Sequence, residues 1–423
     1  MNNEKKIILF TFMSHFLFHF YEIAFPALAI PLVLSLKMDL KEVLSLGFPM
    51  YLMFGVCALP WGLFADRFSN RIAMIICFFG GAAGCLMTAF STTPSSIIIS
   101  LMVIGVFACI CHPAGMGLIS HSAGNVGTGL GIFSVAGSVG LVVGPFLAGM
   151  LNWIAGWRIA YLIIGIFSIV WGIVMVLTKI DETPVEREAS GNEPEENGSG
   201  HPLKRLILFF SIVTLGGFAY RINIIALPAY LEFKAGFLLQ FFHNLNIPDI
   251  AATKTMAAAV LTSAIYIVGI AGQLYGGRIA DRYELRGIYF IYNAVSLPFV
   301  ILMAVFTQQW LVFASAAYVF FALGIQPIEN SLIAKFTPRK WRSTGYGLAA
   351  ILIFGVGALA VFLIGWVSQR WSLGTVYLLS GAIVFIIVIG IIILIMGENI
   401  RPDGYTPCLH YTFCARESGK DKR

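Results

Sequence analysis

His15, His19 and Glu22 follow one another at spacings of four and three, so on an α-helix all three stand on one face. Around them the chain is almost wholly apolar, as it is around His112, Arg221 and Glu329. An ionisable side chain deep in a membrane helix costs about 2.5–3.5 kcal/mol on insertion scales, so each of these groups needs a reason to be there. Facing one cavity, six groups of mixed sign would form a site for a solute and a proton. Glu22 is the expected proton carrier. Free imidazole titrates near neutral pH, which makes His19 and His112 further candidates for the proton. Arg221 keeps its charge, to hold an anionic group or to act as counter-ion to a carboxylate, and His112 is the expected hydrogen-bonding partner. Plainer roles exist: His15 packing on a helix carbonyl, Glu329 paired with Lys335 or Arg342 at a helix end, Arg221 purely structural. Tyr220, Tyr266, Gln273 and Asn293 read as packing glue between helices.

The elements that position these residues are long apolar runs. Of 423 residues 58% are apolar and 11% charged, against about a quarter charged in soluble domains; lipid is the expected solvent for most of the surface. A span needs about 20 apolar residues. Such runs lie near 7–36, 43–65, 71–92, 95–120, 129–151 and 156–178, then 205–231, 251–279, 286–307, 310–335, 344–369 and 373–396. The expected fold is an all-α membrane protein of twelve transmembrane helices in two pseudo-symmetric six-helix bundles. The bundles are 1–178 and 204–396, joined by a flexible linker over 179–203 rich in Glu, Pro, Gly, Ser and Asn, with a tail over 397–423. The first run is too long for a cleavable signal. With the N-terminus in the cytoplasm, Lys and Arg divide 20 to 6 in favour of that side, leaving Arg221 inside a helix; both termini are expected to be cytoplasmic, in a cell membrane.

The net charge of +6 is dispersed among short loops, which excludes a nucleic-acid partner. Cys57, Cys77, Cys85, Cys109 and Cys111 read as small buried hydrophobes. Cys408, His410 and Cys414 are too few for zinc. No metal or cofactor is expected, and no GxxxxGK nucleotide loop is present, which disfavours an enzyme or an ATP-driven pump.

The loop GLFADRFSNR, Gly62 to Arg71, matches GRIADRYELR, Gly277 to Arg286, 215 residues on. In both, a glycine is followed four residues later by Asp-Arg, and the pair marks an internal duplication. Gly62 and Gly277 permit close helix approach. Asp66 and Asp281 accept from a helix N-terminus or pair with Arg67, Arg71 or Arg282, forming a conformational latch. His112-Pro113 echoes Gln326-Pro327, and Pro26 echoes Pro228, which sets His19 level with Arg221. In the fifth run Gly131, Gly140, Gly144, Pro145 and Gly149 frame a small-residue face with a proline bend, suited to a gating helix between the bundles.

These motifs resemble the major facilitator superfamily of secondary transporters. Its loop signature matches both Asp-Arg loops, and GPFLAG (Gly144 to Gly149) resembles its motif associated with proton-driven antiporters, with Ala148 where the pattern has glycine. SHFLFHFYE (Ser14 to Glu22) and CHPAG (Cys111 to Gly115) are similar to the fosmidomycin-resistance branch, although that branch often has an acid where His19 stands. The resemblance implies a monomer working by alternating access, as a proton-coupled exporter (antiporter) of a small organic solute. The alternative, for which Arg221 is the motive, is a proton- or anion-coupled importer of an organic acid or sugar phosphate. A non-transporting sensor or scaffold would have no use for Glu22 and Arg221.

Overall fold

The computed structural model describes residues 2–122, 126–183, 203–239, 250–280, 282–336 and 348–396. All regular structure among them is helical. The first half comprises α1 (Asn3–Ala27), α2 (Ala29–Leu36), α3 (Leu40–Leu46), α4 (Phe48–Val56), α5 (Ala58–Arg67), α6 (Asn70–Ala89), α7 (Pro94–Ala108), α8 (Cys111–Ser122), α9 (Val126–Ala155) and α10 (Trp157–Leu177). In the second half are α11 (Leu203–Lys234), α12 (Ile250–Ala280), α13 (Leu285–Val305) and α14 (Gln308–Phe336). A π turn (Ile351–Gly355) and a 3-10 turn (Val356–Leu359) then lead into α15 (Ala360–Arg370), and α16 (Leu373–Met396) follows. Among the described residues eleven helical stretches are long and apolar enough to cross a membrane, and the pair Leu40–Val56 and Ala58–Arg67, bent by 40°, makes a twelfth.

Several runs that read as single spans are broken, and proline explains where. Leu28, Cys57 and Ile110 interrupt helices three residues before Pro31, Pro60 and Pro113. A proline has no N–H to return to the carbonyl four residues back, and its ring crowds that turn. Pro26, Pro145 and Pro228 stay inside continuous helices.

Large apolar side chains are exposed on many of the helices. Ile163, Ile166, Val170 and Ile173 on α10 and Phe385, Ile389 and Ile392 on α16 are exposed; such faces suit hydrocarbon, not water. The main core runs through both halves around α1 and α11, and a second cluster gathers Phe209, Tyr289, Tyr292, Ile333 and Phe336. Helix α9 packs on α1 and also on α12 of the other half. Glycine permits this. A Cβ on Gly140 would meet the Phe16 carbonyl, one on Gly144 the Ile23 side chain, and one on Gly149 the Ala259 methyl. Gly131 has open space instead. Of the seven cysteines in the chain, five are described; all are free, four are buried and Cys57 is half-buried.

The duplicated loops are matched in packing too. A Cβ on Gly62 would stand 3.3 Å from Pro113 Cβ, and one on Gly277 would stand 3.9 Å from Pro327 Cβ. Each loop glycine thus faces the proline of its own half's His-Pro or Gln-Pro pair.

Candidate functional site

Five of the six ionisable groups converge where α1 meets α11. Glu22 and Arg221, 199 residues apart, are both fully buried, and Arg221 Nη1 donates to Glu22 Oε1 at 2.6 Å. Arg221, expected level with His19, meets Glu22 three residues further along α1. Glu22 Oε2 pairs with His19 Nδ1 at 2.7 Å and accepts from the Tyr220 hydroxyl at 3.3 Å. Tyr51 on α4 donates to the backbone carbonyl of Glu22 at 3.0 Å. Its ring also lies under the guanidinium, 4.4 Å from Arg221 Cζ, with Phe354 of the π turn at 5.7 Å.

A buried ion pair is tolerated only when its remaining polar atoms are also satisfied. Glu22 meets that condition and Arg221 does not: among the described residues Nε and Nη2 have no acceptor. Aromatic rings occupy the neighbourhood of the guanidinium plane, while two in-plane donors are unspent. A planar fork with free donors matches a carboxylate or phosphate ester.

On the other side of Glu22 the histidines continue the network. His19 Nε2 and His15 Nε2 are 3.1 Å apart, and His15 Nδ1 is 2.6 Å from the Phe133 carbonyl on α9. The Phe133 ring stacks on His15 with centroids 4.0 Å apart. His15 therefore does meet a helix carbonyl, yet it also extends the Glu22 face by a turn. His112 comes within 4.9 Å of the His15 ring, centroid to centroid, and its buried Nε2 has no partner among the described residues. Ring nitrogens of the three histidines lie within 4.8 Å of one another. That is close enough to raise a metal, but His15 and His19 already spend their facing nitrogens on each other.

Glu329 is not brought to this centre. It is buried beside the second core, where Tyr289 donates to its Oε2 at 2.7 Å. The reason is helical register: the carboxylate faces α11 at Gly216, 3.6 Å from where a Cβ would stand there, well over a turn from Arg221. The expected pairing with Lys335 is absent among the described contacts, Lys335 being exposed, and Arg342 lies outside the described residues.

Side chains that sequence reasoning set aside take part. Tyr220 reaches Glu22, and the Ser138 hydroxyl donates to Gln273 Oε1, which continues through Gln273 Nε2 to Gln326 Oε1 at 3.0 Å. This chain ties α9 to α12 and α14 across the halves. Asn223 donates to Tyr266 at 3.4 Å, whereas Asn293 bonds within its own helix. The spacing of four and three among His15, His19 and Glu22 is the signal that places His15 in the group.

At the loops, Asp66 and Arg67 are exposed, and Asp66 has no hydrogen bond or ion pair among the described residues. Asp281 lies outside the described residues and Arg282 is exposed. Arg71 carries more: its Nη2 donates to the carbonyls of Met175, Val176 and Thr178 at 2.9–3.0 Å, closing the C-terminus of α10. Glu182, not Asp66, meets the N-terminus of α6, accepting from Ser69 Oγ at 2.5 Å and the Asn70 amide at 2.9 Å. In the second half Glu284 caps α13 through the Gly287 amide at 2.7 Å and pairs with Arg286 at 2.8 Å.

The described residues thus form a helical membrane fold with a buried charged centre between its two halves. The profile of the Major Facilitator Superfamily matches residues 8–244, and the chain belongs to that family. It is 24% identical over 403 residues to a probable hexose phosphate transport protein of Chlamydia pneumoniae, covering 87% of this chain and 86% of that one. It is 22% identical over 381 residues to a D-galactonate transporter of Escherichia coli, covering 80% and 84%. In fold it resembles a bacterial homologue of the human lysosomal transporter Spinster in an inward-facing, occupied conformation. There the TM-score is 0.74 at 13% identity, with 94% and 97% of the two chains covered. The chain is thus a multi-pass membrane transporter of small organic solutes.

Proposed function

We propose that the chain carries a small organic anion together with a proton, Arg221 holding the anionic group and Glu22 the centre of proton binding. The observation that carries this reading is the fully buried guanidinium with Nε and Nη2 unengaged beside a carboxylate. Glu22 and Arg221 cancel in charge, so an incoming anion adds an uncompensated charge to a buried site, which is costly. A proton on Glu22 restores balance and also frees Arg221 from its partner. Proton and anion therefore favour each other's binding, and by linkage the preference is reciprocal. That is the logic of symport, the importer reading of the sequence. Galactonate and hexose phosphate, the solutes named for two relatives, are a carboxylate and a phosphate ester.

The second reading is the proton-coupled exporter, favoured by the glycine face of α9 against α1 and α12. Antiport requires proton and solute to compete for one group, as a cationic solute would for Glu22. The resemblance to the fosmidomycin-resistance branch belongs with this reading and rests on two short stretches, whereas likeness to the two anion transporters extends over 80% or more of the chain.

The rest of the picture follows the family. The halves 1–178 and 204–396 rock about the Glu22–Arg221 centre as a monomer, with linker, tail and termini in the cytoplasm of a cell membrane. The family resemblance assigns the latch of the cytoplasmic ends to the Asp66 and Asp281 loops, Asp66 being without a partner among the described residues in this state. Proteoliposomes loaded alkaline inside, acidic outside, are expected to accumulate labelled D-galactonate or glucose 6-phosphate. Accumulation only under the opposite gradient would favour the exporter.

A further inference from the structure

We infer that His15, His19 and Glu22 form one proton-holding chain, and that the chain is in its loaded state in this structure. The inference rests on the proton-coupled reading above and names the atoms that hold the coupling proton.

Three links run in series: Phe133 carbonyl to His15 Nδ1 at 2.6 Å, His15 Nε2 to His19 Nε2 at 3.1 Å, and His19 Nδ1 to Glu22 Oε2 at 2.7 Å. Each link needs one proton between its heavy atoms. Two neutral imidazoles bring only two, and an ionised carboxylate brings none. The Phe133 carbonyl can only accept, so His15 Nδ1 bears a proton there. Two arrangements then complete the chain. Either Glu22 is ionised and one proton is shared between the two Nε2 atoms, or Glu22 is protonated and donates to His19, which donates to His15. Both contain the same extra proton. It moves along the chain without changing the count.

The groups facing the chain make this proton matter. Arg221 supplies the fixed charge from α11, with the neutral phenol of Tyr220 beside it; α4 contributes Tyr51 and α8 contributes His112. Helix α9 contributes no ionisable side chain. Loaded, the chain is neutral and Arg221 leaves the centre at +1, a match for a monoanion. Unloaded, the centre is neutral, and two bare Nε2 lone pairs face each other at 3.1 Å. Those rings then repel, and Gly137 lies against both: a Cβ there would stand 2.6 Å from His15 Cε1 and from His19 Cδ2. Loss of the proton thus bears directly on the packing of α1 against α9.

Nitrogen-15 NMR of histidine-labelled full-length protein in lipid bilayers reads the proton without any transport step. The expected spectrum has a proton on one of the two Nε2 atoms of His15 and His19, with a nitrogen–nitrogen coupling across the Nε2 pair that disappears in His15→Leu. Two bare Nε2 resonances throughout the range of about pH 6–8, where imidazole normally titrates, would overturn the inference. Binding of labelled D-galactonate and glucose 6-phosphate supplies the second readout. One linked proton changes the dissociation constant about tenfold per pH unit above the loading range. His15→Leu is expected to move the onset of that slope to lower pH, and His15→Gln to return it, because the amide oxygen accepts from His19 Nε2–H. An onset unchanged in His15→Leu would overturn the inference. If neither probe binds the wild type, the anion reading fails while the spectrum still decides the proton chain.

Discussion

Glu22→Gln is the most informative single substitution in this transporter. In the wild type an anion reaching Arg221 competes with a carboxylate whose Oε1 is 2.6 Å from Nη1. Two unit charges about 4 Å apart at an effective dielectric of about 20 attract by about 4 kcal/mol. At about 1.4 kcal/mol per factor of ten, that competition weakens anion binding by up to about a thousandfold when Glu22 is ionised. Glutamine removes the charge but keeps the shape. Its oxygen still accepts from Arg221, and its amide donates to His19 Nδ1, so His19 turns Nε2–H toward His15. Glu22→Gln therefore mimics the loaded centre permanently. Equilibrium binding of labelled D-galactonate or glucose 6-phosphate to purified protein, from about pH 6 to 9, is the assay. The variant is expected to bind as tightly at the alkaline end as the wild type does at the acid end, a gain on the order of a hundredfold to a thousandfold there. In proteoliposomes, solute exchange persists while accumulation driven by a proton gradient is lost. Weaker binding at every pH, or an intact pH slope, would refute the competition between Glu22 and anion. Glu22→Ala offers a contrast: Arg221 is left buried without its partner, a loss of about 3–5 kcal/mol in stability that thermal unfolding would register.

Three further outcomes are expected. Arg71→Ala removes the guanidinium that closes α10 on three carbonyls; a loss of about 1–2 kcal/mol should lower the melting temperature, and Arg71→Lys should recover only part of it. Gly140→Leu drives a side chain into the Phe16 carbonyl and the His19 side of α1; overpacking costs about 1–3 kcal/mol, and transport is expected to fall further than stability if α9 must slide on α1, while Gly131→Leu, with open space around it, should be mild in both respects. At the membrane edge, burial pushes the Glu284 carboxyl up, but the hydrogen bonds from Arg286 and the Gly287 amide outweigh it and hold it below the ordinary carboxylate range. A depressed value in the folded state means that the cap stabilises α13 above the unfolded carboxylate value and is lost as pH falls through the folded one. Because the side chain is 44% exposed, Glu284→Gln should cost only about 0.5 kcal/mol after screening, read as faster amide exchange in the first turn of α13.

Much of the architecture was legible because a bilayer imposes a length on apolar sequence: runs near 71–92 and 373–396 became α6 and α16 almost unchanged. Breaks at Leu28, Cys57 and Ile110 were not anticipated, though Pro31, Pro60 and Pro113 mark each one in retrospect. In the site, the helical spacing of His15, His19 and Glu22 by itself puts them on one face. Glu329 shows the limit of such reasoning: apolar surroundings flagged it as exceptional, but its rotation on α14 aims it at Tyr289.

Chain order determined that this protein is a membrane transporter of duplicated halves, since span length, Asp-Arg loops and Lys/Arg asymmetry are all local properties. Only the folded molecule decided which charge meets which. Glu22 and Arg221 are 199 residues apart, and the Phe133 carbonyl and Tyr51 hydroxyl come from helices with no sequence mark of that role. Burial makes those partners obligatory, because a charge taken out of water must find its compensation in whatever the packing brings within about 3 Å.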